Sequence, residues 1–199
     1  MIISPHEQRT DGWFKDRLGL PTASCFEKIV DTNGNPSKSR QKYLEELAGE
    51  VASGRNTDRY VSWDMKENAK QEQPARLYHI ITTGEQVREV GLCWPDELKM
   101  WGASPDGLID PDGGLEIKGA KPSVQVVRIL NGWSRAEHFQ QVQGCMAVCD
   151  RKWWKLISYC EGMEPVYIFY ERDEQFIAKL RAELDKFCLE LAVMVRRLK

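Results

Sequence analysis

No stretch of this 199-residue chain approaches the roughly 18 consecutive apolar residues that a membrane-spanning helix needs, so a helical membrane protein is excluded. Its first residues, Met1 to Arg17, carry neither the basic start nor the apolar core of a secretory signal, and the expectation is a soluble cytoplasmic protein. Cys-x-x-Cys pairs are missing among Cys25, Cys93, Cys145, Cys149, Cys160 and Cys188, and the only histidines are His6, His79 and His138. That removes zinc-site spacing, and the thiols read as small buried hydrophobes in a reducing compartment. Positive charge is not in excess either: 28 Lys and Arg face 30 Asp and Glu, for a net charge of -2. A free-standing nucleic-acid-binding domain is usually strongly basic, so a polyanion would have to be met by a local patch, metal ions or enclosure. Repeats and low-complexity segments are absent, and Gly and Pro are near average, which leaves no room for disordered or collagenous classes.

What is present suits one domain spanning residues 1–199. A hydrophobic content of 42% can build a core without disulfides or a structural metal. Helical periodicity predicts a short helix over Pro5 to Arg17 and a second, capped by Thr22 or Ser24, through Val30. Asp31 to Pro36 reads as a turn. Ser37 to Arg55 and Met65 to Ile81 read as helices, with Pro74 kinking the latter or starting a new one. The middle changes to strand-like pieces: Glu89 to Leu92, Lys99 to Ser104, Gly107 to Ile109 and Gly114 to Lys118, separated by Pro, Asp and Gly. Helices follow over Val124 to Leu130 and Ala136 to Val148, then strands over Lys152 to Tyr159 and Val166 to Tyr170. A long helix closes the chain from Asp173 to Leu198. The order predicts an α/β fold, a central mixed sheet flanked by helices.

The most informative segment is Ser104-Pro105-Asp106, nine residues, then Glu116-Ile117-Lys118. On a strand, Glu116 and Lys118 share one face while Ile117 points to the other. A hairpin would return Glu116 beside Asp106, so two carboxylates and a lysine converge. Carboxylates that close repel unless a cation lies between them, and hard oxygen donors favour Mg²⁺ or Mn²⁺. Such an ion can orient a water, lower its pKa and offset charge growing on a phosphorane-like transition state. Lys118 could position that water or neutralise the attacked phosphate. Taken alone, Asp-Gly at a turn is an ordinary hairpin signal and Glu-x-Lys an ordinary solvated pair.

Pro105-Asp106…Glu116-Ile117-Lys118 resembles the PD-(D/E)xK nuclease signature, and the chain more specifically resembles the phage lambda-type alkaline exonucleases. Four further segments carry that likeness in order: Arg17 to Ser24, Glu72-Gln73-Pro74-Ala75-Arg76, Gly102 to Gly107 and Gln141-Val142-Gln143. The resemblance implies a restriction-endonuclease-like core. It also implies Asp106, Glu116 and the Ile117 carbonyl as metal ligands, Lys118 as the catalytic lysine and Glu72 as an additional acid. Relatives commonly carry Gly four residues before that Glu; here Asn68 stands instead. Arg17, Ser24, Ser104 and Gln141 match positions that hold a 5′-terminal phosphate. A planar guanidinium fork and hydroxyls suit that anion. Lys38, Arg40, Lys42, Lys121, Arg128 and Arg135 could line a DNA channel or be scattered surface charge.

Carried through, the resemblance implies a Mg²⁺-dependent 5′→3′ exonuclease, with Mn²⁺ able to substitute. Its substrate would be linear double-stranded DNA, preferably 5′-phosphorylated, degraded to mononucleotides with 3′ overhangs left for a single-strand annealing protein. It further implies a ring-shaped homotrimer encoded by a phage or prophage and acting in the bacterial cytoplasm. A ring holds its substrate by topology, which would make strong basicity unnecessary. Rival readings are a structure-specific endonuclease using the same three residues, an iron–sulfur nuclease, disfavoured by the cysteine pattern, and a non-catalytic DNA-end-binding protein.

Overall fold

The structure, a computed structural model, describes residues 1–56 and 63–198; the side chains of residues 63–68, Asn68 among them, lie outside that description. Its strands are β1 (Ile2–Ile3), β2 (Val87–Arg88), β3 (Cys93–Trp94), β4 (Gly107–Ile109), β5 (Gly113–Gly119), β6 (Trp153–Tyr159) and β7 (Val166–Glu171). The helices are α1 (Asp11–Arg17), α2 (Arg40–Ser53), α3 (Trp63–Thr83), α4 (Pro122–Asn131), α5 (Phe139–Cys149) and α6 (Glu174–Leu198), with a short 3₁₀-helix at Ala23–Lys28. Among the described residues, five strands form a mixed sheet in the order β2-β4-β5-β6-β7. β5 and β6 run parallel and every other neighbouring pair antiparallel. β1 and β3 pair separately.

The two-residue period of β5 decides what lies on each side of the sheet. Leu115 and Ile117 face α3, where they pack with Ala75, Ile109, Ile157 and Tyr159. The opposite face belongs to the larger core, in which Leu108, Trp154, Leu156, Ile168 and Tyr170 meet α2, α5, α6 and the 3₁₀-helix. Each large aliphatic or aromatic side chain buried there contributes about 1.5–3 kcal/mol. Gly114 has no Cβ because Trp154 lies across it: a Cβ there would stand 2.2 Å from the indole ring. Gly144 on α5 similarly lets Phe26 of the 3₁₀-helix approach. Beyond Gly114, the same face of β5 continues with Glu116 and Lys118, so the polar pair sits where the larger core runs out.

Several expected elements shift. The first helix begins at Asp11, not Pro5, because Thr10 takes the cap and accepts from Trp13 N–H. The stretch capped by Thr22 is a six-residue 3₁₀-helix with no side-chain cap bond, so it offers no helix dipole to an anion. α3 runs from Trp63 to Thr83 straight through Pro74, with no new helix started there. Burial of Ala75 against β5 and the contact of Tyr78 with the same cluster offset the backbone bond that proline forgoes. Lys99 to Ser104 forms isolated bridges only, Gly102 to Thr22 and Ala103 to Cys93. Between Glu89 and Leu92 the chain passes from β2 to β3 without forming a strand of its own. α5 starts at Phe139 because His138 adopts a left-handed conformation, φ 63°.

Candidate active site

β4 and β5 pair with Gly107 opposite Leu115, which sets Asp106 beside Glu116 one step further along the ladder. The Asp106 carboxylate accepts from the Ile117 N–H at 2.6 Å. Arg76 Nε, from α3, donates to the Asp106 carbonyl at 3.2 Å and fixes the backbone from the other side. Glu116 is buried. Its Oε1 accepts from Lys118 Nζ at 2.9 Å and from Gln141 Nε2 at 2.6 Å, while Gln141 Oε1 accepts from Lys118 Nζ at 2.9 Å. The three side chains thus close a ring of hydrogen bonds between β5 and α5. Glu116 Oε2 is buried too and has no hydrogen-bond partner.

Charge is concentrated here. Burial, then the charges of Glu116 and Glu72, push the Asp106 carboxyl well above its ordinary range, against the pull of the Ile117 N–H. Burial works against the Lys118 ammonium, but Glu116 and Asp106 outweigh it and raise its pKa. Glu72, half-buried on α3, is raised by burial and by Glu116, partly offset by Arg9, whose Nη2 stands 2.5 Å from Glu72 Oε1. The three carboxylates repel one another, and the cations at hand against them are Lys118, on Glu116, and Arg9, on Glu72.

The site opens on two sides. A cleft of about 570 Å³ is lined by Gln8, Arg9, Glu72, Arg88, Glu89 and Asp106. A smaller one, about 140 Å³, is lined by Ala23, Ser24, Glu27, Lys118, His138 and Gln141. His138 there is held neutral, its pKa pushed down to about 4 by burial and the Lys118 charge.

Of the residues singled out from the sequence, Glu72 and Asp106 line the larger cleft and Ser24, Lys118 and Gln141 the smaller. Asp106, Glu116, Ile117 and Lys118 form the centre, and Glu72 faces Asp106 across the larger opening. Ser24 and Gln141 share the smaller one. Arg17 is buried, stacked 4.5 Å over the Trp13 ring, with Nη2 3.3 Å from Thr22 Oγ1. Thr22 Oγ1 is in turn 3.3 Å from Ser24 Oγ. Ser104 accepts from Trp13 Nε1 at 3.0 Å. Trp13 therefore links Arg17 to Ser104, and Thr22 links Arg17 to Ser24. Neither linking residue was given a site role from sequence, Thr22 being read as a helix cap, although Trp13 and Arg17 stand four apart, the spacing that pairs side chains on one helix face. Arg9 was missed as well. Three of the scattered basic groups have internal partners: Arg40 binds Glu190, Arg128 binds Ser158 and Glu137, and Arg135 binds the Phe169 carbonyl.

For a metal ion the donors on offer would be two carboxylates, Asp106 and Glu116, with the neighbouring Ile117 carbonyl; no cage of three or more His, Cys, Asp or Glu exists among the described residues. Mg²⁺ is ordinarily held that way, by one or two carboxylates completed with water and substrate phosphate oxygens. The orphaned buried oxygen of Glu116 fits such an ion. Among the described residues no helix is long and apolar enough to cross a membrane.

Comparison with known proteins places the fold and the family. None of the curated proteins matches the chain. Among solved structures, an alkaline exonuclease from Laribacter hongkongensis is 32% identical and superposes with a TM-score of 0.84 over 95% of this chain and 96% of its own. The same exonuclease in complex with dAMP superposes at 0.85 over 96% of each chain. A phage-related exonuclease from Haemophilus somnus 129PT, 12% identical, shares the fold at 0.68 over 90% of this chain and 96% of its own. The YqaJ-like viral recombinase domain model matches residues 12–152, which contain every candidate site residue named from the sequence. With its nuclease-like sheet, its paired carboxylates and this match across most of its length, the chain belongs to the YqaJ-like viral recombinase family, which includes alkaline exonucleases of the lambda type.

Proposed function

We propose that the chain is a Mg²⁺-dependent 5′→3′ exonuclease on linear double-stranded DNA. It would degrade the 5′-ended strand to mononucleotides and leave 3′ overhangs for a single-strand annealing protein. The observation that carries this reading is the closed Glu116–Lys118–Gln141 ring beside Asp106, with one Glu116 oxygen buried and unpartnered. Asp106, Glu116 and the Ile117 carbonyl would hold Mg²⁺, or Mn²⁺ in its place. When bound, the ion polarises the scissile phosphate and neutralises the charge that develops on it.

The chain's own residues do the rest. Lys118 has three N–H donors, and Glu116 and Gln141 use two of them. The third is left to hold the attacking water or a phosphate oxygen, on an ammonium that its carboxylate neighbours keep charged. Gln141 locks the lysine and the carboxylate into one geometry and retains a second amide proton for the substrate. Arg17, Ser24, Ser104 and Gln141 would receive the 5′-terminal phosphate. The Trp13 and Thr22 contacts hold Arg17 and the two serines in place before substrate arrives. Glu72, on the far side of Asp106, is a further acid at the same centre. A ring-shaped homotrimer around the duplex suits a chain of net charge -2.

A gel assay tests the reading. Wild type and Lys118→Ala are incubated with Mg²⁺ on linear duplex bearing a 5′-phosphate or a 5′-hydroxyl, and on covalently closed circles. The expected result is digestion of linear DNA by wild type alone, faster with the phosphate, with circles spared. Cut circles would move the assignment to an endonuclease, and intact DNA throughout would leave an end-binding protein.

A further inference from the structure

Trp13 lies outside the motifs that carry the family likeness, yet its indole touches two of the residues proposed to receive the terminal phosphate. Its Nε1–H donates to Ser104 Oγ at 3.0 Å, and the Arg17 guanidinium lies 4.5 Å from the centre of its ring. The indole is itself fixed. Thr10 caps α1 by accepting from the Trp13 backbone N–H, and the ring is buried with Leu92 and Trp94 and meets Phe14 edge-on at 4.9 Å. The segment that carries Ser104 is fixed as well: the Gly102 N–H donates to the Pro21 carbonyl at 3.0 Å, and the Ala23 N–H to the Gly102 carbonyl at 2.9 Å. Ser104 and Ser24 thus stand on two backbone segments bonded to each other, and Ser104 precedes Asp106 by two residues.

The indole directs the hydroxyl it touches. An indole N–H donates and never accepts, whereas a hydroxyl carries one proton and two lone pairs. With Trp13 on one lone pair, the Ser104 proton must point elsewhere, and among the described residues it meets no acceptor. Ser104 is half-buried, so that proton is left for a ligand. A terminal phosphate accepts through its charged oxygens, and a hydroxyl held as a donor favours it; a 5′-hydroxyl end brings no such oxygens. We propose that Trp13 is a positioning residue that sets the preference for a 5′-phosphate: its N–H holds the Ser104 hydroxyl as a donor to the terminal phosphate, while its ring holds Arg17 for the same anion. This rests on the nuclease reading above and deepens it, because it names what makes that site discriminate between two kinds of DNA end.

Wild type, Trp13→Phe, Ser104→Ala and the double variant are assayed with Mg²⁺ on linear duplex ending in a 5′-phosphate or a 5′-hydroxyl, and the ratio of the two kcat/KM values is compared. Trp13→Phe keeps a ring beside Arg17 and removes the N–H. It should lower the ratio about tenfold, as Ser104→Ala should, the usual effect of losing one hydrogen bond to a charged group. The double variant should fall no further than either alone, since both changes act through one hydroxyl. Trp94→Phe, which loosens the same apolar cluster without touching the pocket, should leave the ratio unchanged. A ratio unchanged in Trp13→Phe, an equal fall in Trp94→Phe, or losses that add in the double variant would overturn the role of Trp13 and leave the nuclease reading intact. A measurement on wild type covers a Trp13→Phe that fails to fold. Of the seven indole N–H resonances, the one displaced in Ser104→Ala should move when 5′-phosphorylated duplex is added with chelator present, and stay when the 5′-hydroxyl duplex is added. Movement with both or with neither would overturn the proposal. A wild type that digests both ends at one rate would overturn the phosphate pocket itself, and one that digests neither would overturn the nuclease reading.

Discussion

Gln141 carries more of the site than its residue type suggests. A glutamine is neither acid nor base, yet here it is bonded at both ends, to the Lys118 ammonium and to the Glu116 carboxylate. Gln141→Leu keeps the volume and removes both bonds, loosening Lys118 and leaving it the sole partner of Glu116 Oε1. Outer partners of this kind typically cost 10–100-fold when lost, so exonuclease turnover should fall by about 10–100-fold. Lys118→Met should cost more, about 10²–10⁴-fold, the usual worth of a positioned proton-transfer or charge-stabilising group. Rates on linear duplex at saturating Mg²⁺ would check both; equal losses would mean that Gln141 is itself part of the chemistry. Residues of this kind mark the limit of what sequence shows. Glu116 and Lys118 are legible because a strand's two-residue period puts them on one face, and Asp106 because the hairpin pairing of β4 with β5 returns it beside Glu116. Arg9 is not, because its place depends on a left-handed backbone and a clamp from Gln8 to a segment 97 residues away. Trp13 lay within reach, since its spacing to Arg17 is a helix-face pairing.

Elements were legible in proportion to their length and periodicity. β6, β7 and α6 lie within a residue or so of their expected bounds, because long apolar alternation or a continuous stripe leaves little choice, while β4, three residues long, is fixed by the Pro, Asp and Gly on either side of it. The failures lie where tertiary contacts override local signals. His138 delays the start of its helix through a positive φ, and Lys99 to Ser104 pairs too sparsely to make a strand. α3 is the element on which the site most depends, since it brings both Glu72 and Arg76, and its far end is fastened by a polar clamp. His79, fully buried, bonds Glu85 at 2.8 Å, and Lys155 of β6 binds the same carboxylate at 2.6 Å. Burial lowers the His79 pKa below 6.5 despite Glu85. Burial of Glu85 is outweighed by Lys155 and His79, which hold its carboxyl below 4.5. In both cases the unfolded chain takes up protons more readily than the folded one. The stability these groups contribute is therefore present in full above their unfolded values and is lost as pH falls, first through His79 and then through Glu85. Melting temperature should decline between about pH 7 and about pH 5, and His79→Gln should flatten that part of the curve. An unchanged slope in the variant would assign the acid sensitivity elsewhere.

At the scale of the whole molecule the charge balance is the feature that most constrains how DNA is held. With 28 basic and 30 acidic residues, the chain cannot rely on a broad positive surface. Of the basic groups near the site, Arg128 and Arg135 are committed to internal partners, which thins the phosphate contacts further. Electrostatic retention of duplex weakens steeply with salt, as about the power of the number of phosphates neutralised. A ring-shaped homotrimer, as proposed for this chain, separates two steps that such contacts would otherwise control together. Capture of a DNA end uses open electrostatic contacts and should slow as salt rises. Travel along the duplex is enforced by closure and should not. Digestion of long end-labelled duplex, with excess heparin added after loading, distinguishes these steps at low and at moderate salt. The fraction of ends engaged should drop several-fold between about 50 mM and about 200 mM salt, while the length removed per engagement stays within about twofold. Light scattering of the protein alone, giving three chains per particle, should accompany that result. Run lengths that shorten in step with capture, or a monomer in solution, would show that DNA is held by surface charge alone and would remove the ring from the mechanism.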